Sequence, residues 1–384
     1  MNDHTEDPMS PAEITVPDKN KHYTANRQFQ GIPGIECAPN GRLWATWYSG
    51  GVNEGPDNYV LLVTSDDNGK TWTEPVAVVD PPGNVRAYDP VLWHDPQGRM
   101  WMFWAQSYSE KDGNIHDGRA GVWGAWTKDS NSGKPVFSQP VRIADGVMMN
   151  KPIILSSGEW AMPTAVWVCT GPKLEELKHA RFSNMTLSSD NGKTFQLQGG
   201  ADVPHRSYDE HMIIEKKDGR LWMLVRTEYG IGQSFSSDKG KTWTPGENSN
   251  LGGPNSRFFI RRLSSDNLLL INHADITAEK AVKLFIEGKT WRPRSHLTAF
   301  ISEDDGATWT GGLLLDEREG VSYPDGVQDK DGAIRIIYDY QRYMEGAILM
   351  ASFKEEDVLS GKPASKDLQL KMLVNKTGGV RERK

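Results

Sequence analysis

The feature that most constrains the fold is an eight-residue phrase, Ser-x-Asp-x-Gly-x-Thr-aromatic, that occurs four times in this 384-residue chain. The copies occupy residues 65–72, 188–195, 236–243 and 302–309. Each copy follows an apolar, β-rich run, and its Asp and Gly are residues that a tight hairpin turn requires. Four copies of one turn at irregular intervals indicate a repeated β unit.

A second repeat, independent of the first, divides the chain into six units. Each unit begins with a short apolar strand, continues through a turn containing Gly, Asp or Asn, and returns as a second apolar strand. Adding the hairpin formed by the turn phrase gives a four-stranded antiparallel blade. We therefore predict an all-β fold, a six-bladed β-propeller. Its second blade has only a degenerate copy of the turn phrase, at residues 128–134.

The composition agrees with this prediction and sets the expected boundaries. The 38 glycines, 22 prolines and 14 tryptophans favour many turns and aromatic strands over helices. We expect residues 1–22 to be a polar lead-in, part of which pairs with the last blade, and residues 23–360 to be a single propeller. Residues 361–384 are predicted to be a loose, charged tail, and short helices are expected at residues 173–178 and 354–358.

Charge, hydropathy and cysteine content exclude several functions. A net charge of −7 gives no argument for nucleic acid, and no apolar run is long enough for a membrane span. The polar N-terminus lacks an apolar signal core, which predicts a cytoplasmic protein, or a periplasmic or secreted one whose leader has been removed. Cys37 and Cys169 are too few for a disulfide framework and are expected to be buried. We expect no metal and no cofactor.

Polar residues cluster where the first strand of each unit begins. In a propeller these strands line the central channel, so their side chains should converge on one pocket. Such a density of buried charge indicates either a ligand site or an internal ion-pair network, and the sequence leaves both open. The residues are Glu36, Arg86, Tyr88, Asp89, Asn150, Lys151, Arg206, Tyr208, Asp209, Glu210, Asn255, Arg257, Tyr323 and Asp325.

Two of these segments repeat closely, Arg86-Ala87-Tyr88-Asp89 and Arg206-Ser207-Tyr208-Asp209. An Arg close to a carboxylate is suited to holding a hydroxylated or anionic ligand through forked hydrogen bonds. The same pair is equally suited to clamping one blade to the next. Both interpretations stand at this point.

The turn phrase resembles the Asp box of sialidase-like proteins, whose family fold is a six-bladed propeller with the boxes on the face away from the active site. Ser322-Tyr323-Pro324-Asp325 resembles the phrase that carries the family's tyrosine nucleophile, which implies that role for Tyr323. Glu210 and Arg226 resemble the Glu that polarises this tyrosine and an Arg that binds the substrate carboxylate. The family's acid/base is an Asp in the loop after the first hairpin, which implies Asp57, with Glu54 as a second choice.

The sequence also departs from the family pattern. Sialidases have an arginine immediately before an Ile-Pro pair, and here Gly31 precedes Ile32-Pro33. The third arginine of the family's carboxylate clamp has Arg257 or Arg294 as candidates, and Arg86 or Arg206 could rebuild the clamp from other blades.

The resemblance implies an exo-acting glycoside hydrolase that cleaves a terminal, acidic sugar from a carbohydrate substrate. Tyr323, Glu210 and Asp57 are the expected catalytic residues, and the expected substrate-binding residues are Arg226, Arg257, Arg86, Asp89, Arg206, Tyr208 and Asp209. Two other functions stay open: a polysaccharide lyase acting on a uronic acid linkage, and a non-catalytic propeller that binds glycans.

Overall fold

The computed structural model describes residues 8–108, 121–167, 175–291 and 294–379, which form six antiparallel sheets arranged as the blades of a propeller. This confirms the predicted six-bladed fold. The strands of blades 1 to 3, from the channel outwards, are Gln30–Cys37, Leu43–Ser49, Tyr59–Ser65 and Ala77–Val79; Val85–His94, Met100–Tyr108, Val122–Thr127 and Val141–Ala144; and Ile153–Ile154, Trp160–Ala165, Ser183–Ser188 and Gln196–Ala201.

The remaining three blades repeat the same order. Their strands are Met212–Glu215, Leu221–Thr227, Gly230–Ser236 and Glu247–Asn248; Phe259–Arg262, Leu268–His273, Leu297–Ser302 and Thr310–Asp316; and Val321–Gln328, Ile334–Tyr340, Ala347–Phe353 and Gln369–Lys376. The apolar core lies mainly between neighbouring blades, because each sheet presents alternating apolar side chains to the sheet beside it.

Short helices connect these strands. The described helices are Lys19–His22, Ala278–Ile286 and Glu355–Ser360, with 3₁₀ segments at Thr24–Asn26 and Glu175–Ala180. The helix predicted near residue 354 is therefore present, and a 3₁₀ segment overlaps the other predicted helix, whose first two residues lie outside the described ranges. None of the helices in these ranges is long and apolar enough to cross a membrane.

The two chain ends differ from prediction. Ile14–Thr15 pairs with Ala77–Val79 and extends blade 1, so this strand of the lead-in adds to the first blade and not to the last one as expected. Gln369–Lys376, placed in the loose tail, is the outer strand of blade 6. The backbone N–H groups of Gly378 and Gly379 also donate to the carbonyls of Thr24 and Arg27, so the two ends meet where the ring closes.

The Asp boxes are the turns between the third and fourth strands of blades 1, 3, 4 and 5. In the first box the Asp67 carboxylate accepts hydrogen bonds from the Thr71 hydroxyl (2.6 Å) and backbone N–H (2.9 Å). These bonds lower the pKa of Asp67 to about 2. Gly69 has a φ of 82°, and a side chain there would collide with Met350 of blade 6. The box therefore shapes its own turn and also seals one blade against its neighbour.

A buried ion-pair network fills the channel between the two faces. The Lys151 ammonium donates to the carbonyls of Ile35 and Leu92, both at 2.6 Å, and lies 3.2 Å from Asp325 and 3.5 Å from Glu36. Despite its burial, Glu36 keeps a pKa of about 2, chiefly because of the Lys151 charge. The internal network expected as one of two interpretations therefore exists, below the pocket described next.

Candidate active site

A pocket of about 210 Å³ opens on the face where the first strands begin and the second strands end. The Asp boxes lie at the opposite ends of the strands, so pocket and boxes occupy opposite faces. Three carboxyl groups and four guanidinium groups line the pocket, from Glu54, Asp89, Glu210, Arg86, Arg226, Arg294 and Arg342. Its aromatic lining comes from Tyr48, Tyr88, Trp167, Tyr208, Trp291, Tyr323 and Tyr343.

Backbone irregularities aim several of these side chains inwards. The register of the first strands of blades 1, 2 and 6 shifts beside Ile32, Asp89 and Tyr323. Those three residues have φ values of 55°, 49° and 54°, a region that non-glycine residues rarely adopt. Each such residue costs about 1–3 kcal/mol and persists only where the surrounding structure enforces it. Bulges that re-aim side chains in this way are typical of active sites.

Arg226 joins the two residues expected to form the nucleophile couple. Its Nη1 donates to the Glu210 carboxylate at 2.6 Å and to the Tyr323 hydroxyl at 3.3 Å. Its Nε donates to the amide oxygen of Asn255 at 2.6 Å, which fixes the guanidinium plane. Burial alone would lower the pKa of Arg226, but the Glu210 carboxylate and Tyr323 raise it above its usual value, so this arginine stays charged.

Two pocket groups are buried with unfilled hydrogen-bonding capacity among the described residues. The Oε2 atom of Glu210 accepts no hydrogen bond, and the Nε and Nη1 groups of Arg86 donate none. Arg86 is 1% exposed and lies against the ring of Tyr88 at 4.1 Å. Buried polar atoms normally find a partner, so a water molecule or a polar group of a ligand would bind at these atoms.

The carboxyl groups of the pocket differ in protonation. Burial, reinforced by the charges of Glu54 and Glu210, raises the pKa of Asp89 to about 7, although Arg86 opposes the shift. Glu54 behaves oppositely: burial works against ionisation, but Arg342, 3.0 Å away, and Arg86 lower its pKa. Near neutral pH the pocket therefore holds a partly protonated Asp89 and an ionised Glu54.

The structure separates the two Arg-x-Tyr-Asp segments. Arg86 and Asp89 line the pocket, whereas Arg206 and Asp209 do not. Arg206 donates to the Asp209 carboxylate at 2.9 Å, which also accepts from Ser183 of blade 3 at 2.8 Å. The second pair therefore joins blade 3 to blade 4 and lies outside the pocket lining, and its expected role in substrate binding stays a prediction. Tyr208, between them in sequence, does line the pocket.

Two further expected site residues, Asp57 and Arg257, lie outside the pocket lining. Asp57 is exposed, packs beside Gly51 and is not part of the pocket lining, while Glu54, the second choice from the same loop, faces the pocket. Arg257 lies in the channel beneath, where its Nε donates to Asn150 at 2.8 Å and its Nη2 lies 3.6 Å from Asp325. Its charge therefore serves the internal network.

Two arginines complete the pocket near Tyr323. The guanidinium of Arg294 lies 4.9 Å and that of Arg342 lies 4.7 Å from the centre of the tyrosine ring. Arg294 was one of two sequence candidates for the third arginine of the clamp. Arg342, in the loop after the second strand of blade 6, was missed because no motif marks it. Its only signal is its place between a buried strand and the aromatic residue Tyr343.

Comparison with known proteins agrees with this architecture. A family model described as a BNR repeat-like domain matches residues 41–336. A sialidase of Bacteroides fragilis (strain YCH46) is 25% identical over 331 residues, which are 76% of this chain and 56% of that protein. A sialidase of Clostridium perfringens is 26% identical over 246 residues, 57% of this chain and 61% of that protein. The chain thus spans less than two thirds of either relative.

Solved structures share the fold at lower identity. The Hadza microbial sialidase Hz136 superposes with a TM-score of 0.64 at 18% identity, over 86% of this chain and 66% of that one. The intramolecular trans-sialidase from Ruminococcus gnavus gives 0.63 at 14% identity, over 90% of this chain and 98% of that one. At such identities the likeness shows a common sialidase-like propeller.

Proposed function

The chain belongs to the family of proteins with a BNR repeat-like domain, and we propose that it is an exo-acting glycoside hydrolase that removes a terminal, acidic sugar. One observation carries the proposal: a single nitrogen of Arg226 contacts both the Glu210 carboxylate and the Tyr323 hydroxyl at the pocket floor. This arrangement matches the roles that the sialidase resemblance implies for these residues. The sialidase relatives support the same reaction class.

In the proposed reaction the Tyr323 oxygen attacks the anomeric carbon. A neutral phenol approaches a cationic centre flanked by a carboxylate with less repulsion than a carboxylate nucleophile would meet, an exception to the two-carboxylate pattern. Glu210, whose Oε2 is unfilled, takes the phenolic proton. Arg226 donates to the phenol oxygen and therefore stabilises the negative charge that develops there.

The charge of the pocket favours an anionic sugar. Arg226, Arg294 and Arg342 surround Tyr323, and guanidinium groups bind carboxylates through paired hydrogen bonds. The cavity, about 210 Å³, is smaller than the ~300–1,000 Å³ of typical ligand pockets, which suits one terminal residue rather than an internal stretch of a chain.

We assign the proton donor to Asp89 instead of Asp57. A general acid must be protonated at the working pH, and Asp89 has a pKa of about 7 in the pocket. Substrates with activated aryl leaving groups need no proton donor, so Asp89→Asn should retain activity on them and lose it on natural glycosides. If Glu54→Gln shows this pattern and Asp89→Asn does not, the assignment passes to Glu54.

The function is tested with a panel of terminal sialosides and uronides, with products analysed by mass. Hydrolysis is expected to add one water across the cleaved bond, and Tyr323→Phe is expected to abolish turnover while binding persists. The control is Tyr340→Phe, in the same blade, whose ring stacks on Arg318 outside the pocket lining. An unsaturated uronic acid product would indicate the lyase instead, and binding without cleavage would indicate a glycan-binding propeller.

A further inference from the structure

Gly31 is the residue that stands where sialidases have an arginine, and its surroundings are already occupied. A Cβ atom at this position would lie 2.9 Å from Cδ and 3.3 Å from Cβ of Arg342. The φ of Gly31 lies outside the left-handed region, so the backbone conformation alone does not require glycine at this position. The stem of Arg342 therefore fills the space that a side chain at position 31 would need.

The head of Arg342 reaches the centre of the pocket. Its guanidinium lies 4.7 Å from the ring centre of Tyr323 and 4.9 Å from that of Tyr343. Its Nη2 lies 3.0 Å from the Glu54 carboxylate, which helps to orient the guanidinium group. Asp339, on the strand below, anchors the neighbouring backbone by accepting from the Ile32 N–H at 3.0 Å.

Three blades thus each direct one arginine to the same tyrosine. Arg226 of blade 4 donates to the hydroxyl, while Arg294 of blade 5 and Arg342 of blade 6 lie against the ring. Two of the three already have an anionic partner, since Arg226 lies 2.6 Å from Glu210 and Arg342 lies 3.0 Å from Glu54, so the cluster keeps one guanidinium charge in excess of these two carboxylates. A carboxylate has the charge and the paired acceptors to satisfy such a cluster.

We propose that Arg342 replaces the arginine that Gly31 lacks and binds the carboxylate of the acidic sugar, an inference that rests on the proposed glycosidase function. The replacement explains two features together: the glycine before Ile32-Pro33 and the course of the Arg342 side chain over it. It also makes Arg342 a specificity residue, because its contact distinguishes a sugar acid from the corresponding ester.

The test exchanges the arginine between the two positions. Binding of N-acetylneuraminic acid and glucuronic acid, each beside its methyl ester, is measured by calorimetry for the parent protein, Arg342→Ala, Gly31→Arg and the double variant. Losing one charged hydrogen-bonding partner is expected to weaken binding of the acid about 10- to 100-fold and to leave the ester unchanged. Gly31→Arg should also bind weakly, because the two side chains collide.

The double variant Gly31→Arg/Arg342→Ala should recover preference for the acid, since the new arginine enters the vacated space. Arg318→Ala, which removes an arginine from the loop between blades 5 and 6 and outside the pocket lining, is the control and should bind like the parent. An acid-to-ester ratio unchanged in Arg342→Ala would overturn the inference, and so would a double variant that folds but shows no recovery. Binding of an acid by a protein that cleaves none of its glycosides would contradict the glycosidase proposal alone, and failure of the parent to bind either acid would overturn both.

Discussion

Replacing Asp89 with Asn should make the protein more stable at neutral pH while impairing its proposed chemistry. Asp89 is 3% exposed, and its pKa in the fold is about 7 against 3.8 for a free Asp. Because the unfolded chain ionises at the lower pH, the native state loses stability as the pH rises from about 4 to about 7. Asn has nearly the same shape and no charge, so the variant avoids this loss.

The magnitude follows from the two pKa values. At ~1.36 kcal/mol per pKa unit, the difference between 3.8 and about 7 corresponds to at most about 4 kcal/mol, fully expressed above about pH 7. Burial is the largest cause of this raised pKa; among the charged groups that face Asp89, Glu54 and Glu210 raise it further, and Arg86 and Arg257 lower it. Removing the carboxylate also removes a partner from these arginines, which reduces the gain.

Chemical unfolding of both proteins at about pH 4 and about pH 8 checks this reasoning. The free energies of unfolding should be similar at the lower pH, and Asp89→Asn should be more stable at the higher pH. Asp331→Asn, on an exposed turn of blade 6, is the control and should follow the parent at both values. A stability difference that does not change with pH would refute the account of Asp89.

Two further predictions concern the scaffold. Lys151→Met should destabilise the fold by about 3–5 kcal/mol in denaturant titrations, because Glu36 and Asp325 lose their buried cation. The exposed Lys193→Met is the control. A loss of stability below about 1 kcal/mol, or one equal to that of the control, would contradict the prediction. Asp67→Ala should lower the melting temperature without altering the pocket. Since the fold depresses this pKa to about 2, its stabilisation should disappear between about pH 4 and about pH 2, and an equal temperature difference at both pH values would count against it.

Local patterns predicted the fold because most blades can be recognised from short sequence motifs of a few residues. The Asp boxes specify their own turns through side-chain hydrogen bonds, and the repeated strand pairs give the blade count. The strand Gln369–Lys376 was missed although Leu370, Met372 and Val374 alternate along it, because it is an outer strand with most side chains only partly buried and lies in a charged segment that was interpreted as a loose tail. Ala278–Ile286 was missed because it is a short helix inserted between two strands.

The candidate site was predictable where one residue lies on one predicted strand start, as for Tyr323, Glu210 and Asp89. The prediction failed for residues whose position depends on how separate blades pack against each other. Arg86 and Arg206 occupy matching places in two similar segments, yet Ser183 of the neighbouring blade draws the second segment into a clamp. Arg342 reaches the pocket only because Gly31, more than 300 residues away in sequence, leaves room for it.

The most direct test of the account is to trap the intermediate on the nucleophile. The protein is incubated with an activated fluorinated analogue of the sugar acid that it cleaves, and the digested product is mapped by mass spectrometry. We expect a covalent sugar on Tyr323 that is missing in Tyr323→Phe. A sugar attached to another residue, or complete turnover of the analogue by Tyr323→Phe, would contradict it.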